Sequence, residues 1–151
     1  MPAPFAIKSL DHLVLTVRSI PDTVAFYTTH LGMRHEVFTS PMNPSVTRHA
    51  LLFNTQKINL HEVGREFEPK AQNVQPGSAD LCFLTDEPVQ RVLEYFGGLG
   101  IEVLEGGRVV ERTGAVGRIR SVYVRDPDGN LIDLGGVLWI KVLFAKCAKC
   151  A

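Results

Sequence analysis

The sequence predicts an α+β fold in which two βαβββ modules form a curved, mixed and mostly antiparallel sheet around a metal site. Three observations carry that prediction. His12 stands 20 residues before the glycine of Leu31-Gly32-Met33, and Asp80 stands 20 residues before the glycine of Leu99-Gly100-Ile101. Each half then closes on an Asn-Leu strand bearing a possible ligand, Asn59-Leu60-His61 or Asn130-Leu131-Ile132-Asp133, 49 and 53 residues after the opening position. Finally, three of the four strands in each half follow one another through short connections, which favours antiparallel pairing with helices outside the sheet. A repeated unit that cannot bury its apolar face alone packs on its copy. His12, His61, Asp80 and Asp133 are therefore expected to converge where the copies meet, and four converging N/O donors make a metal site.

The elements follow in order. Residues 10–17 are rich in β-formers, and period-two geometry puts Leu10, His12, Val14 and Thr16 on one face. Ser19 with Asp22 resembles a capping box, Pro21 suits a first helical turn, and the apolar stripe of Val24, Phe26, Tyr27 and Leu31 stops at Gly32. Three strand-like runs follow at 33–39, 47–53 and 58–63, the first two separated by a Pro- and Asn-bearing stretch over 40–45. Residues 64–78 lack periodicity, carry Pro69, Pro76 and Gly77, and form the linker between modules 8–63 and 79–135 of one domain spanning 8–135.

The pattern restarts with a strand at 79–85 that groups Asp80, Cys82 and Leu84 on one face, with Cys82 expected in the core. Thr85 or Asp86 can cap a helix with Pro88 in its first turn and Val89, Val92, Leu93 and Phe96 as its stripe, ended by Gly97-Gly98. Strands are expected at 101–105 and 118–125, with 108–111 a weaker strand or a loop. Asp126-Pro127-Asp128-Gly129 turns into the last strand, 130–134. The extension over 136–151 holds an apolar run at 137–144, far short of the ~20 residues of a membrane span. It is expected to pack on its own or a partner subunit. Cys147 and Cys150 form a lone CxxC without a helical setting that would tune a redox or zinc site.

Bulk composition narrows the function. The 16 basic and 16 acidic residues cancel, so no polybasic footprint asks for nucleic acid. The opening residues lack the charged and apolar regions of a secretory signal, and three cysteines make no disulfide framework. The expectation is a cytoplasmic protein with no membrane partner.

Asp80 and Asp133 are carboxylates in apolar strands, where burying an unpaired charge costs several kcal/mol and calls for a cation or a salt bridge. His12 taken alone can also be a core histidine satisfied by a carbonyl. Glu62 shares its strand face with Ile58 and Leu60 rather than with His61, which makes it a weaker ligand candidate. Two imidazoles with one or two carboxylates suit Fe, Mn, Ni, Co or Zn as divalent ions, with positions left for water or substrate. His30, His35 and His49 read as surface or supporting residues, and Tyr27 and Tyr123 as packing residues. The glycine-broken basic stretch over 112–118 is either an anion clamp or a solvated loop.

The segments Leu10-Asp11-His12-Leu13-Val14-Leu15-Thr16-Val17, Phe26-Tyr27 with Leu31-Gly32-Met33, and Asp126-Pro127-Asp128-Gly129-Asn130-Leu131-Ile132-Asp133-Leu134 resemble the vicinal oxygen chelate superfamily. That superfamily includes glyoxalase I, extradiol dioxygenases, fosfomycin-resistance transferases and metal-free bleomycin-binding proteins. Residues 59–64 and 66–70 are similar to a subgroup of small glyoxalase-domain proteins. The resemblance places metal ligands on the first and last strands of each module, again His12, His61, Asp80 and Asp133. It departs from glutathione-dependent glyoxalase I, which usually has His or Gln where Asp80 stands, Glu where Asp133 stands, and a glutathione-binding Arg where this chain has Thr16.

Two function classes follow. One is a metal-dependent enzyme on a small oxygen-rich metabolite. As a glyoxalase-like lyase or isomerase it would use Asp80 or Asp133 as the catalytic carboxylate; as a dioxygenase it would hold Fe(II) on His12, His61 and Asp133, with Asp80 as an outer base. The other is a metal-free antibiotic- or metabolite-binding protein. A homodimer is expected in either case, to cover sheet edges and the apolar tail.

Overall fold

The computed structural model describes residues 1–41 and 43–138. The apolar run at 139–144 and the CxxC at 147–150 lie outside the described residues. Among the described residues, eight strands form two four-stranded sheets, one per module, and in each sheet the strands of the module lie in the order first, fourth, third, second. The described residues divide into two compact units, residues 1–81 with 125–132, and residues 82–124 with 133–138.

In the first unit, β1 (His12–Val17) leads into α1 (Ile20–Leu31), then β2 (Arg34–Ser40), β3 (Asn43–Phe53) and β4 (Gln56–Glu62). The cap signals act as the sequence suggests. The Ser19 hydroxyl accepts from the Asp22 N–H at 3.3 Å, and Gly32 closes the helix in the left-handed region at φ 65°, where a side chain would be strained. β1 runs parallel to β4, while β3 is antiparallel to both of its neighbours. The expected turn at 40–45 is shorter than the Pro and Asn content suggests, because β3 begins at Asn43 and carries Pro44 near its end, where a missing N–H is tolerated.

Alternation divides this sheet into two faces. Leu15, Val17, Leu51, Ile58 and Leu60 are buried beside Tyr27 of α1, which packs on β2, β3 and β4. Each such side chain contributes about 1.5–3 kcal/mol by leaving water. The register puts His12, Val14, Asn59, His61, Arg48 and Phe38 on the opposite face. A polar turn completes the unit: Asp126 accepts hydrogen bonds from the N–H groups of Asp128 and Asn130, both at 2.9 Å, and from Asn130 Nδ2 at 2.8 Å.

The second module contains β5 (Asp80–Leu84), α2 (Val89–Gly98), a short α3 (Leu104–Gly107), β6 (Val110–Gly114), β7 (Gly117–Arg125) and β8 (Leu131–Val137). Val89 and Phe96 of α2 are buried with Val122, Val124 and Leu134. Helix and strand approach closely at Gly136, where a Cβ would stand 2.8 Å from Val89 Cγ2.

Three sequence expectations are corrected here. Residues 101–105 form no strand: α3 begins at Leu104, and Glu105, Gly106 and Gly107 take positive φ, which ends the extended run set up by Ile101 and Val103. α2 starts at Val89 without a side-chain cap; the Thr85 hydroxyl instead accepts from the Glu87 N–H at 3.1 Å in the preceding turn. The third concerns β5, whose Asp80, Cys82 and Leu84 are exposed, so Cys82 is not a core residue. Alternation identified that common face correctly; whether it is covered depends on residues distant in sequence.

Candidate functional site

The polar face of the first sheet holds a cavity of about 180 Å³, to which β1 and β4 contribute His12, Asn59 and His61, and β2 and β3 contribute Phe38 and Arg48. The segment after β4 lays Phe67 across it. That segment braces itself: Glu66 accepts from the Gly64 N–H at 2.9 Å and from Lys70 Nζ at 3.1 Å. The Phe67 ring meets His61 edge-on at 5.1 Å, and the Arg48 guanidinium lies 4.4 Å from its centroid. Part of what reads as a linker in sequence thus forms a wall of the cavity.

Three buried polar atoms in this lining have no hydrogen-bond partner: Arg48 Nε, Asn59 Oδ1 and His61 Nδ1. Such an atom costs about 1–3 kcal/mol if nothing satisfies it, and three on one sheet face indicate a place prepared for a ligand. His61 is 7% exposed, and burial, reinforced by the positive charge of Arg48, holds its imidazole below the usual histidine range. It is therefore neutral at pH 7, with a lone pair available. His12 is half-exposed, and Asp11 Oδ1 lies 2.7 Å from its Nδ1, which leaves Nε2 available.

On the other face, the His35 and His49 rings stack at 5.3 Å with Nε2 and Nδ1 3.0 Å apart. Burial and the neighbouring His35 push His49 down as well.

In the second unit, Asp133 on β8 is 5% exposed. Tyr123 of β7 lies close enough to this carboxylate for its charge to act on the hydroxyl. Arg112 lies over the Tyr123 ring at 5.4 Å and pairs with Glu105 at 3.4 Å. Asp133 Oδ1 remains buried without a partner. Burial and the charge of Asp133 raise the Tyr123 hydroxyl above its ordinary value.

Of the four residues expected to act together, His12 and His61 share one cavity, and Asp133 is buried as its position in an apolar strand implies. Asp80 is exposed, so no burial cost requires it to have a cation. Among the described residues, no group of three or more His, Cys, Asp and Glu side chains stands close enough together to hold a metal ion. Each taken within its own unit, the orphaned His61 Nδ1 and the orphaned Asp133 Oδ1 are atoms of the type that divalent ions take as donors. Sequence reasoning missed Arg48, a charge inside a strand-forming run on the face shared with Ala50 and Leu52, and the covering role of Phe67. The basic stretch at 112–118 is largely neutralised, with Arg112 on Glu105 and Arg118 on Glu111.

This arrangement, a βαβββ unit repeated with polar donors on its first and last strands, defines a two-module α+β protein with its candidate site on a sheet face. The family model of the Glyoxalase/Bleomycin resistance protein/Dioxygenase superfamily matches residues 9–134, and the chain belongs to that superfamily. The virulence protein STM3117 of Salmonella typhimurium is 50% identical over 128 residues, covering 85% of this chain and 83% of that protein. Its crystal structure superposes with a TM-score of 0.78, covering 89% of this chain and 100% of the other at 48% identity. The glyoxalase domain-containing protein RDO1 of Mycosarcoma maydis is 50% identical over 129 residues, covering 85% of this chain and 68% of that protein. A structure from the mobile metagenome of V. Pseudocholerae is 51% identical with a TM-score of 0.80, covering 89% of this chain and 98% of the other. No helix among the described residues is long and apolar enough to cross a membrane.

Proposed function

We propose that this protein is a metal-dependent enzyme acting on a small oxygen-rich molecule, as a glyoxalase-like lyase or isomerase or as a dioxygenase, in the cytoplasm and as a homodimer. The observation that carries this reading is the buried, unpartnered Nδ1 of His61 in a cavity that His12 also lines. His12, His61 and Asp133 would hold the ion. The exposure of Asp80 favours this two-histidine, one-carboxylate set, which suits a dioxygenase, over a four-donor set, and leaves Asp80 as an outer base. When bound, a divalent ion polarises substrate oxygens and lowers the pKa of bound water.

The chain's own groups have separate tasks. Asp11 holds the His12 ring through Nδ1. Burial keeps His61 neutral, and Phe67 shields it from bulk water. A second reading is a metal-free small-molecule-binding protein, whose ligand would meet the unpartnered polar atoms of Arg48, Asn59 and His61 in the cavity directly.

Metal analysis of protein purified without chelator separates the two. An enzyme of this kind carries a transition metal near stoichiometry. Less than about a tenth of an equivalent, with no gain in binding or activity on reconstitution, leaves the binding-protein reading.

A further inference from the structure

We propose that the cavity on the first sheet takes a small hydroxy carboxylate, with its carboxylate on Arg48 and its hydroxyl on Asn59. The inference rests on reading this cavity as the substrate site and names the class of substrate. Among the described residues, no carboxylate lies within the 4.0 Å ion-pair distance of the Arg48 guanidinium. Its Nε is buried without an acceptor, and its guanidinium is held on the Phe67 ring. A partly buried cation with no carboxylate in contact is costly, Glu68 of the cavity lining being paired with Lys70, and a divalent ion at the neighbouring histidines would add charge of the same sign. An anionic ligand relieves both. Guanidinium geometry suits a carboxylate, to which it can donate two parallel hydrogen bonds.

Asn59 supplies the second half of the specificity. Its Oδ1 is a buried acceptor without a donor, on the same sheet face as Arg48 and His61. A ligand hydroxyl can donate to it. The volume of about 180 Å³ restricts the ligand to a handful of heavy atoms, and Phe38 and Phe67 provide apolar walls for a short carbon chain.

Calorimetric titration of the full chain with lactate, propane-1,2-diol, propanoate and inorganic phosphate tests the assignment. Lactate should bind at least about tenfold more tightly than propane-1,2-diol, which replaces the carboxylate, and several-fold more tightly than propanoate, which lacks the hydroxyl. Arg48→Met keeps a long side chain on Phe67 and should lose about tenfold or more for lactate with the diol unchanged, while Arg48→Lys should retain part of the preference. The ligand series needs no variant, so a poorly folded mutant does not void the test. Equal binding of lactate and the diol, or of lactate and propanoate, wild-type lactate affinity in Arg48→Met, or phosphate bound as tightly as lactate would each overturn the inference. Metal content measured on the same samples separates the two readings: carboxylate selectivity in a metal-free protein defeats only the enzyme reading, and full metal occupancy without selectivity defeats only this inference.

Discussion

The Tyr27 hydroxyl donates a 3.0 Å hydrogen bond to Asp126 Oδ2, joining the first helix to a turn 99 residues later in the chain. Both groups are buried, and the same carboxylate also receives two backbone N–H groups and the Asn130 amide. Arg18 adds its own N–H to Asp128 Oδ1 at 3.1 Å. The turn motif at 126–130 is therefore a lock for the first unit as well as a reversal of the chain.

Tyr27→Phe should cost about 1–2 kcal/mol, while Asp126→Ala should cost more, about 3–5 kcal/mol, because it orphans several buried donors together. Urea unfolding measures both. Burial, then the charge of Asp126, pushes the Tyr27 hydroxyl far above its ordinary value of 10.0. The folded state thus retains this proton more tightly than the unfolded chain. Stability from this group is full below pH 10 and falls as pH rises beyond it, and Tyr27→Phe should flatten that alkaline decline.

At the acid end, His61 and His49 behave in the opposite sense. Both are held below 6.5, first by burial, so the unfolded chain binds protons that the folded state refuses. Their contribution is complete above about pH 6.5 and is lost as pH falls through the folded-state values. Imidazole NMR should find these two rings titrating at lower pH than an exposed histidine. His61→Gln should reduce the acid-side slope of stability.

For metal binding, His12→Ala and His61→Ala should each weaken affinity by about 100-fold or more while the protein stays folded, because each removes a donor rather than core volume. Asp133→Asn should abolish activity, whereas Asp133→Glu should retain it by restoring the residue usual in glyoxalase I. Circular dichroism and metal analysis of the purified variants distinguish donor loss from misfolding. Full metal occupancy in the double histidine variant would remove both residues from the ligand set.

Gly77 offers a purely conformational test. At φ 76° it lies where side chains are strained, and an added Cβ would meet the backbone oxygen of Asp128 at 2.6 Å, an atom that cannot swing aside. Gly100 has φ 69° and nothing within 4 Å. Gly100→Ala should cost about 1 kcal/mol and Gly77→Ala at least about 2–3 kcal/mol. Equal losses on denaturation would show that the contact adds nothing to the strain.

Assembly supplies the last test. Val14 and Leu84 remain exposed on the strands that begin the two modules. Light scattering should report a mass about twice that of the chain. If the ligand set crosses subunits, mixing inactive His12→Ala with inactive Asp133→Ala should restore part of the activity. A proven, exchanging heterodimer without complementation would place all the ligands in one chain.

Local chemistry made much of the fold legible in the sequence. Ser19 and Gly32 bound α1 because capping needs only neighbouring atoms, and the repeated spacing of His12 and Asp80 exposed the two modules because both obey the same element order. Periodicity also grouped Asp80, Cys82 and Leu84 on one face, but covering a face requires residues distant in sequence, so their exposure was not legible. Residues 101–105 read as a strand because Ile101 and Val103 alternate, yet a strand exists only with a partner, and the positive φ values at 105–107 turn the chain away from extension. The same distinction separates the two parts of the site. His12 and His61, which line the cavity, stood out by residue type and position in the repeat. Arg48 and Phe67 acquired their roles only when pairing of β3 with β4 and the fold of the 64–70 segment brought a guanidinium, an aromatic ring and an imidazole together, because proximity across strands is set by register and not by neighbourhood in sequence.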